Sequence, residues 1–203
     1  MSSIAIFGAG GQQGQELITE ALSRGHQVTA VVRNPGKTTF DERVAVVTGD
    51  ATDGASVASI ALDHDVIISA VNGTETVVAA AHALAAKAAK TRVLFVGGAG
   101  GLQAGDGLLI DSPGFPDEYK AIAQAHIDAL EVWRAAEGVE WTVVSPGALL
   151  SPGERRGSYR TGGEELIVDA DGNSAISYAD LAIAILDEVE NPKHPNQRFS
   201  TGY

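Results

Sequence analysis

The chain has 203 residues, of which 44% are hydrophobic, with no cysteine and a formal net charge of -12. That length suffices for one well-buried core, and no linker, repeat or shift in composition marks a second unit. The acidic balance repels phosphate backbones and anionic lipid, so neither nucleic acid nor a membrane is an expected partner. The missing cysteine excludes disulfides, Fe–S clusters and thiol nucleophiles, and fits a cytoplasmic protein.

Ile4 to Phe7 is a short apolar run that stops at glycines. From Gln15 onward Leu17, Ile18, Ala21 and Leu22 recur at helical spacing. Gln27 to Val32 and Val44 to Val47 are β-branched and strand-like, and Thr52 or Asp53 is placed to cap a helix through Leu62. Asp65 to Ala70 reads as a strand and Thr74 to Lys90 as a helix, with an alanine-rich body from Val77 to Ala89. Arg92 to Val96 is a further strand, followed by a Gly/Pro-rich loop to Pro116. A long helix is expected over Asp117 to Ala136 and a strand over Glu140 to Val144. After Pro146 the chain reads as irregular, then strand-like at Leu166 to Val168, helical from Tyr178 to Val189 and strand-like at Arg198 to Thr201.

Strands alternating with helices imply parallel strands joined by crossovers. The expected fold is α/β: a single-domain, Rossmann-like, doubly wound parallel sheet with helices on both faces. The segment from about 145 to 203 is expected to complete a substrate pocket. Ligands of such sheets bind outside the carboxyl ends of the strands. The loops at 8–14, 33–37, 50, 71–73, 97–116 and 145–163 therefore converge on one crevice. No apolar run spans a bilayer, and no basic segment precedes the first one, so neither a membrane helix nor a signal peptide is expected. Histidines 26, 64, 82, 126 and 194 contain no pair three or four apart, and no metal is expected.

Glycines 8, 10, 11 and 14 do not make G-x-G-x-x-G, because position 13 is Gln13. Gly8, Gly11 and Gly14 make G-x-x-G-x-x-G instead. Gly8 allows the sharp exit from the strand, Gly11 lets backbone N–H groups approach a pyrophosphate at the helix N-terminus, and Gly14 permits close packing. Gly10, Gln12 and Gln13 belong to the same turn. The alternative, a Gly-rich connection with no ligand, is disfavoured by its place between the first strand and a helix. An NAD site usually ends its second strand with an acid; here the strand ends "VVRNPGK", with Arg33 in the acid's place. Arginine pairs with a 2′-phosphate that a carboxylate would repel, so NADPH is expected, with NADH as the alternative cofactor. A solvated loop cation is the other reading of Arg33. Asp50 either accepts a bond from the adenine amino group or opens the next helix. Ala70, Val71 and Asn72, after the fourth strand, belong to the cofactor crevice.

The stretches "IFGAGGQQG", "VVRNP", "GDATD", "VGGAGGL", "FPDEYK", "WTVVSPGALLSPGERRGSYR", "VDADGNSAISYADLA" and "RFSTGY" cover nearly the whole chain. Together they resemble the atypical short-chain dehydrogenase/reductases, closest to the NADH-flavin reductase group, with biliverdin reductase B and, more distantly, NmrA-like proteins as relatives. The resemblance implies that Gly97, Gly98, Pro146 and Gly147 shape the nicotinamide end. It also implies that His126 stands where biliverdin reductase B-like enzymes carry a substrate-pocket histidine.

Most short-chain dehydrogenases use Tyr-x-x-x-Lys, in which one helical turn sets lysine beside tyrosine and lowers the tyrosine pKa. Tyrosines 119, 159, 178 and 203 have no lysine four residues later, and Lys120 is merely adjacent to Tyr119. Glycines replace the serine expected after the fifth strand. These losses count against carbonyl–alcohol chemistry, and less against reduction of flavins or quinones, where the ring delocalises the charge. Tyr119 and His126, seven residues apart, share a helix face and are the candidate catalytic pair. Otherwise Tyr119 lies in the helix-start loop and His126 is packed. Arg155, Arg156 and Arg160 either attract an anionic substrate or form a solvated turn.

Two functions follow. One is NADPH-dependent hydride transfer to flavin, with FMN or FAD as substrate, or to a similar flat acceptor such as a quinone or tetrapyrrole. The other is a non-catalytic NADP(H)-binding redox sensor of NmrA-like type. The expected partner is a small-molecule electron acceptor, and the chain is read as a monomer or homodimer.

Overall fold

The computed structural model describes residues 1–88 and 90–203. Strand β1 (Ser3–Phe7) leads through α1 (Gln12–Ser23) to β2 (Gln27–Val32) and β3 (Ala45–Thr48). Helix α2 (Gly54–Leu62), β4 (Val66–Ser69), α3 (Thr74–Lys87) and β5 (Arg92–Val96) follow. A small hairpin, β6 (Gln103–Ala104) and β7 (Gly107–Leu108), precedes α4 (Asp117–Arg134) and β8 (Trp141–Ser145). Short strands β9 (Leu149–Ser151), β10 (Arg160–Gly162) and β11 (Ala175–Ser177) come before α5 (Tyr178–Glu190) and β12 (Gln197–Gly202).

Eight strands form one sheet in the order β10-β12-β8-β5-β4-β1-β2-β3. All pairings in it are parallel except β10 with β12. This is the doubly wound, Rossmann-like α/β architecture expected above. The chain winds outward from β1 in both directions, so the crevice opens where the ends of β1 and β4 diverge.

Strand alternation divides the core between the two faces. Ile4 and Ile6 pack with Leu17, Ile18 and Ala21 of α1 and with Leu181 and Ile185 of α5. Ala5 and Phe7 turn the other way, onto Val57 of α2, Val77 and Leu84 of α3 and Trp133 of α4. Each fully buried Leu or Phe on these faces contributes about 1.5–3 kcal/mol. Helix α2 starts where Asp53, not Thr52, caps it, accepting from the amides of Ala55 and Ser56. At the base of the sheet buried Arg92 meets the Glu188 carboxylate at 2.7 Å, joining β5 to α5.

Several boundaries differ from the sequence reading. Helix α1 begins at Gln12 because the glycine turn itself supplies the first helical residues, and α3 ends at Lys87, ahead of the expected Lys90. Ala89, read as helical, lies outside the described residues. Leu166 to Val168 is not a strand. Leu166 N–H donates to the Gln103 carbonyl at 2.8 Å, and Ile167 lies over Gly202, where a Cβ would come within 2.9 Å of it. Ile167 is the buried member of that run, packed on Gly202 of β12 and Gly162 of β10. The segment after Pro146 is more regular than expected, because β9 pairs in parallel with β11.

Candidate functional site

The opening glycines make a tight turn from β1 into α1. Gly8 has φ +78, and a Cβ there would lie 2.4 Å from the Ala70 carbonyl oxygen at the end of β4. The Gly11 amide donates to the Gly8 carbonyl at 3.0 Å, and Gln15 Nε2 donates to the Ala9 carbonyl at 2.8 Å, fixing the turn. Gly14 packs on the turn itself: a Cβ there would meet Gly8 O at 2.3 Å and Ala9 Cα at 2.7 Å. Position 11 is open, with Gly8 O at 3.3 Å as the single neighbour of an added Cβ. No side chain caps α1, and no acid occupies its first turn. Its free amides and positive end suit an anion.

Two neighbours in this turn have roles that spacing did not indicate. Gly10 faces Thr38, whose Oγ1 would be 3.0 Å from an added Cβ. Gln13 is buried and turns inward, its Nε2 donating to the Tyr178 carbonyl at 3.2 Å while its Oε1 has no partner. Gln12 lies beside it on the wall of the larger cavity described below.

Beside the turn a cavity of about 340 Å³ is lined by Gly8, Gly10, Gly11, Arg33, Lys37, Asp50, Ala70, Val71 and Asn72, among others. Arg33 is exposed on this wall, and no hydrogen bond engages its guanidinium among the described residues. Asp50 Oδ1 accepts from the Thr52 amide at 2.9 Å and from the Thr52 hydroxyl at 2.8 Å. The amide bond to Thr52 does most to hold the Asp50 carboxyl below the usual carboxylate range, against some desolvation. Asp50 thus shapes the turn into α2 and still faces the cavity. Asn72 Oδ1 accepts from the Gly73 amide at 2.7 Å and orders the loop before α3.

The second cavity, of about 750 Å³, shares Gly11, Ala70, Val71 and Asn72 with the first. Gly97 and Gly98 lie on it at the end of β5, Pro146 and Gly147 at the end of β8, and Tyr119 and His126 on α4. The glycines here are required by contact. A Cβ on Gly97 would meet Val143 Cγ1 at 2.8 Å, one on Gly98 the His126 ring at 3.0 Å, and one on Gly147 the Ala175 backbone at 2.9 Å. The His126 ring can lie along the β5 loop because position 98 has no side chain. His126 Nδ1 is buried without a partner, and burial pushes the imidazole pKa down to about 4. The ring is therefore neutral near pH 7. Tyr119 stands on the first turn of α4, 58% exposed, at the rim. Lys120 is held by Asp117 at 2.7 Å and does not reach this cavity.

The arginine cluster is not at the site. Arg155 pairs with Glu20 on α1 at 2.9 Å. The Arg156 guanidinium covers the Tyr203 ring at 3.7 Å, and Arg160 donates to the carbonyls of Val168 and Tyr203. Of the two readings of the cluster, the structure favours the structural one: each guanidinium has a local acceptor or ring that ties down an irregular segment. Ser112, Phe115 and Leu150 line the second cavity from the loops expected there but were not singled out, whereas Tyr178 on the second cavity and Thr38 on the first lie outside the expected loops. Tyr178 opens α5 directly after β11, a placement visible once the β9–β11 pair is known.

Residues 8–192 match the NAD(P)H-binding family. The chain belongs to that family. Its member here is 42% identical over 97% of its length to the uncharacterized protein YwnB of Bacillus subtilis (strain 168), 96% of which is covered. A "putative exported protein" from Burkholderia pseudomallei superposes with TM-score 0.91 at 45% identity, over 100% of both chains. A "putative NADH-flavin reductase" from Streptococcus pneumoniae TIGR4 superposes with TM-score 0.88 at 32% identity, over 100% of this chain and 99% of that one. The family match and the Streptococcus pneumoniae neighbour agree with the reductase resemblance drawn from the sequence. No helix among the described residues is long and apolar enough to cross a membrane.

Proposed function

We propose that the protein is an NAD(P)H-dependent oxidoreductase that passes hydride from NADPH to a flat conjugated acceptor, in the class of flavins, quinones and tetrapyrroles. The observation that carries this reading is the junction of two unlike cavities at Gly11 and Ala70–Asn72. One has an uncapped helix end and two cations, Arg33 and Lys37; the other is floored by glycines and walled by apolar side chains. The similarity to the Streptococcus pneumoniae protein, named for flavin reduction, supports the same class.

In this reading the free amides of α1 hold the pyrophosphate, and the guanidinium of Arg33 pairs with the 2′-phosphate. Gly97, Gly98, Pro146 and Gly147 leave backbone around the nicotinamide. A reduced nicotinamide bound there supplies the hydride. Tyr119 and His126 orient the acceptor: the neutral imidazole gives a polar edge without charge, and the tyrosine closes the rim. Because the acceptor ring spreads the incoming charge, no strong acid is needed, in keeping with the missing Tyr-x-x-x-Lys. We place the protein in the cytoplasm on the same grounds as before, its composition.

The absent Tyr-x-x-x-Lys also favours a second reading, a non-catalytic NADP(H) sensor. The test is NADPH oxidation by the purified protein with riboflavin, FMN and menadione. Sustained acceptor-dependent oxidation establishes the reductase. Tight NADPH binding with no turnover of any acceptor establishes the sensor.

A further inference from the structure

The acceptor cavity holds no charge. Among the described residues, no lysine, arginine, aspartate or glutamate lines it. Its one titratable imidazole, His126, is neutral at working pH. The N-terminal residues of α1, Gly11 to Gln13, lie on the cavity wall toward the nucleotide cavity, and Pro116 on the opposite wall precedes α4, whose first turn carries Asp117, paired with Lys120, and Glu118. The three arginines of the following segment are committed elsewhere, to Glu20, to the Tyr203 ring and to the carbonyls of Val168 and Tyr203. Lys120 is bonded to Asp117.

These facts bear on acceptors that share one ring chemistry and differ in charge. A phosphate on the ring's side chain carries about -1.5 to -2 at neutral pH. Placing it beside an apolar wall costs desolvation that only a paired cation or several donors would offset. Glu118 in the first turn of α4 and the net charge of -12 add repulsion at longer range, screened by salt. A neutral ring meets none of these penalties, and it gains from burial against Phe115, Ile122 and Leu150.

Resting on the reductase reading above, we propose that the acceptor is an uncharged planar ring. A neutral quinone or an unphosphorylated isoalloxazine is accepted, and rings carrying phosphate or carboxylates are disfavoured. In the reaction the ring gains a hydride, two electrons with one hydrogen, from the dihydronicotinamide, which is oxidised to NADP⁺. One proton from water completes the two-electron reduction.

Riboflavin and FMN make the decisive pair, since they share the isoalloxazine and differ by one phosphate. Two quantities are measured: kcat/KM with NADPH, and binding of each flavin to the protein–NADP⁺ complex by flavin fluorescence. Riboflavin is expected to exceed FMN at least about tenfold in both at low ionic strength, about 1.4 kcal/mol, with the gap narrowing as salt rises. Menadione is expected to be reduced. Leu149, 61% exposed on the cavity rim, offers a gain-of-function check: Leu149→Arg should raise FMN relative to riboflavin. FMN equal to or better than riboflavin in the unmodified protein overturns the proposal, as does failure of both flavins to bind. Preferential riboflavin binding without turnover overturns the reductase reading alone and leaves the charge preference of the cavity standing.

Discussion

The Tyr203 hydroxyl donates to the buried Asp180 carboxylate, and the same hydroxyl accepts from the Ser177 amide at 3.1 Å. Asp180 in turn accepts from the amides of Arg156 at 3.1 Å and Gly157 at 2.9 Å. One carboxylate thus joins the end of β12, the start of α5 and the irregular segment that follows β9. Tyr203→Phe removes the hydroxyl and leaves buried groups on Asp180 and Ser177 short of a partner. A loss of about 1–3 kcal/mol is expected, read as a lower urea midpoint with an unchanged slope.

The same carboxylate sets an acid limit. Burial raises the Asp180 pKa, but the bonds from Tyr203 and the two amides outweigh it and leave the carboxyl below the usual range. A group depressed in the folded state contributes stability above its unfolded pKa, about 3.9, and loses that contribution as pH falls through its folded value. The unmodified protein should lose this contribution below about pH 4. Asp180→Asn should be less stable at pH 7 and show a shallower acid decline, measured by urea unfolding between neutral and acid pH.

Gly14→Ala and Gly10→Ala should separate backbone contact from open space. At position 14 the methyl meets the Gly8 carbonyl and Ala9 Cα, both backbone, so the turn must open. Destabilisation of about 1–3 kcal/mol is expected, with NADPH affinity reduced at least about tenfold. At position 10 the near neighbour is a threonine side chain, which can move. Gly10→Ala should unfold close to the unmodified protein. Equal effects in thermal melts and NADPH titrations would refute the distinction.

Arg33→Ala should remove a nucleotide preference rather than binding as a whole. NADPH is expected to bind at least about tenfold tighter than NADH in the unmodified protein, worth about 1.4 kcal/mol, and the variant should bind them alike. The nucleotide's own fluorescence is the better readout. Trp133 and Trp141 lie in the core cluster formed with α3 and α4, and neither lines either cavity.

His126 predicts a second, higher pH limb. Its folded pKa, pushed down by burial to about 4, lies below the unfolded value of about 6.5. The unfolded chain therefore binds the extra proton between those values, and stability falls as pH drops from about 6.5 toward 4, by at most about 3 kcal/mol. His126→Gln should flatten this limb. NMR titration of the ring should show it neutral through pH 6.

The fold was legible because each long element carries its own period. Ile4 to Phe7, Gln27 to Val32 and Arg92 to Val96 are apolar strands buried in a parallel sheet, and α4 and α5 keep a helical stripe. The short strands were not legible. Each of β9, β10 and β11 spans three residues among Gly, Ser and Pro, and their pairing is decided by distant partners. Leu166 to Val168 looked like a strand for its apolar content, which in fact covers Gly202. Gly8, Gly11, Gly14, Arg33 and Asn72 follow from their positions after strands, so spacing was enough to gather them. Tyr178 and Thr38 reach the cavities through tertiary packing, and no local pattern marks them. The role of the arginine cluster stayed open in the sequence because charge density carries no record of which acceptors the fold brings alongside.

Gly11 and Ala70–Asn72 form the partition between the two cavities and belong to both. A long ligand that begins beside Arg33 and ends near Gly98 must cross that partition, and its far end then becomes part of the second cavity's wall. A small ring already seated in the second cavity would block that passage. Where the proposed function holds, product-inhibition patterns are expected to show the nucleotide adding first and the acceptor second. Random-order kinetics would show instead that the two cavities fill independently.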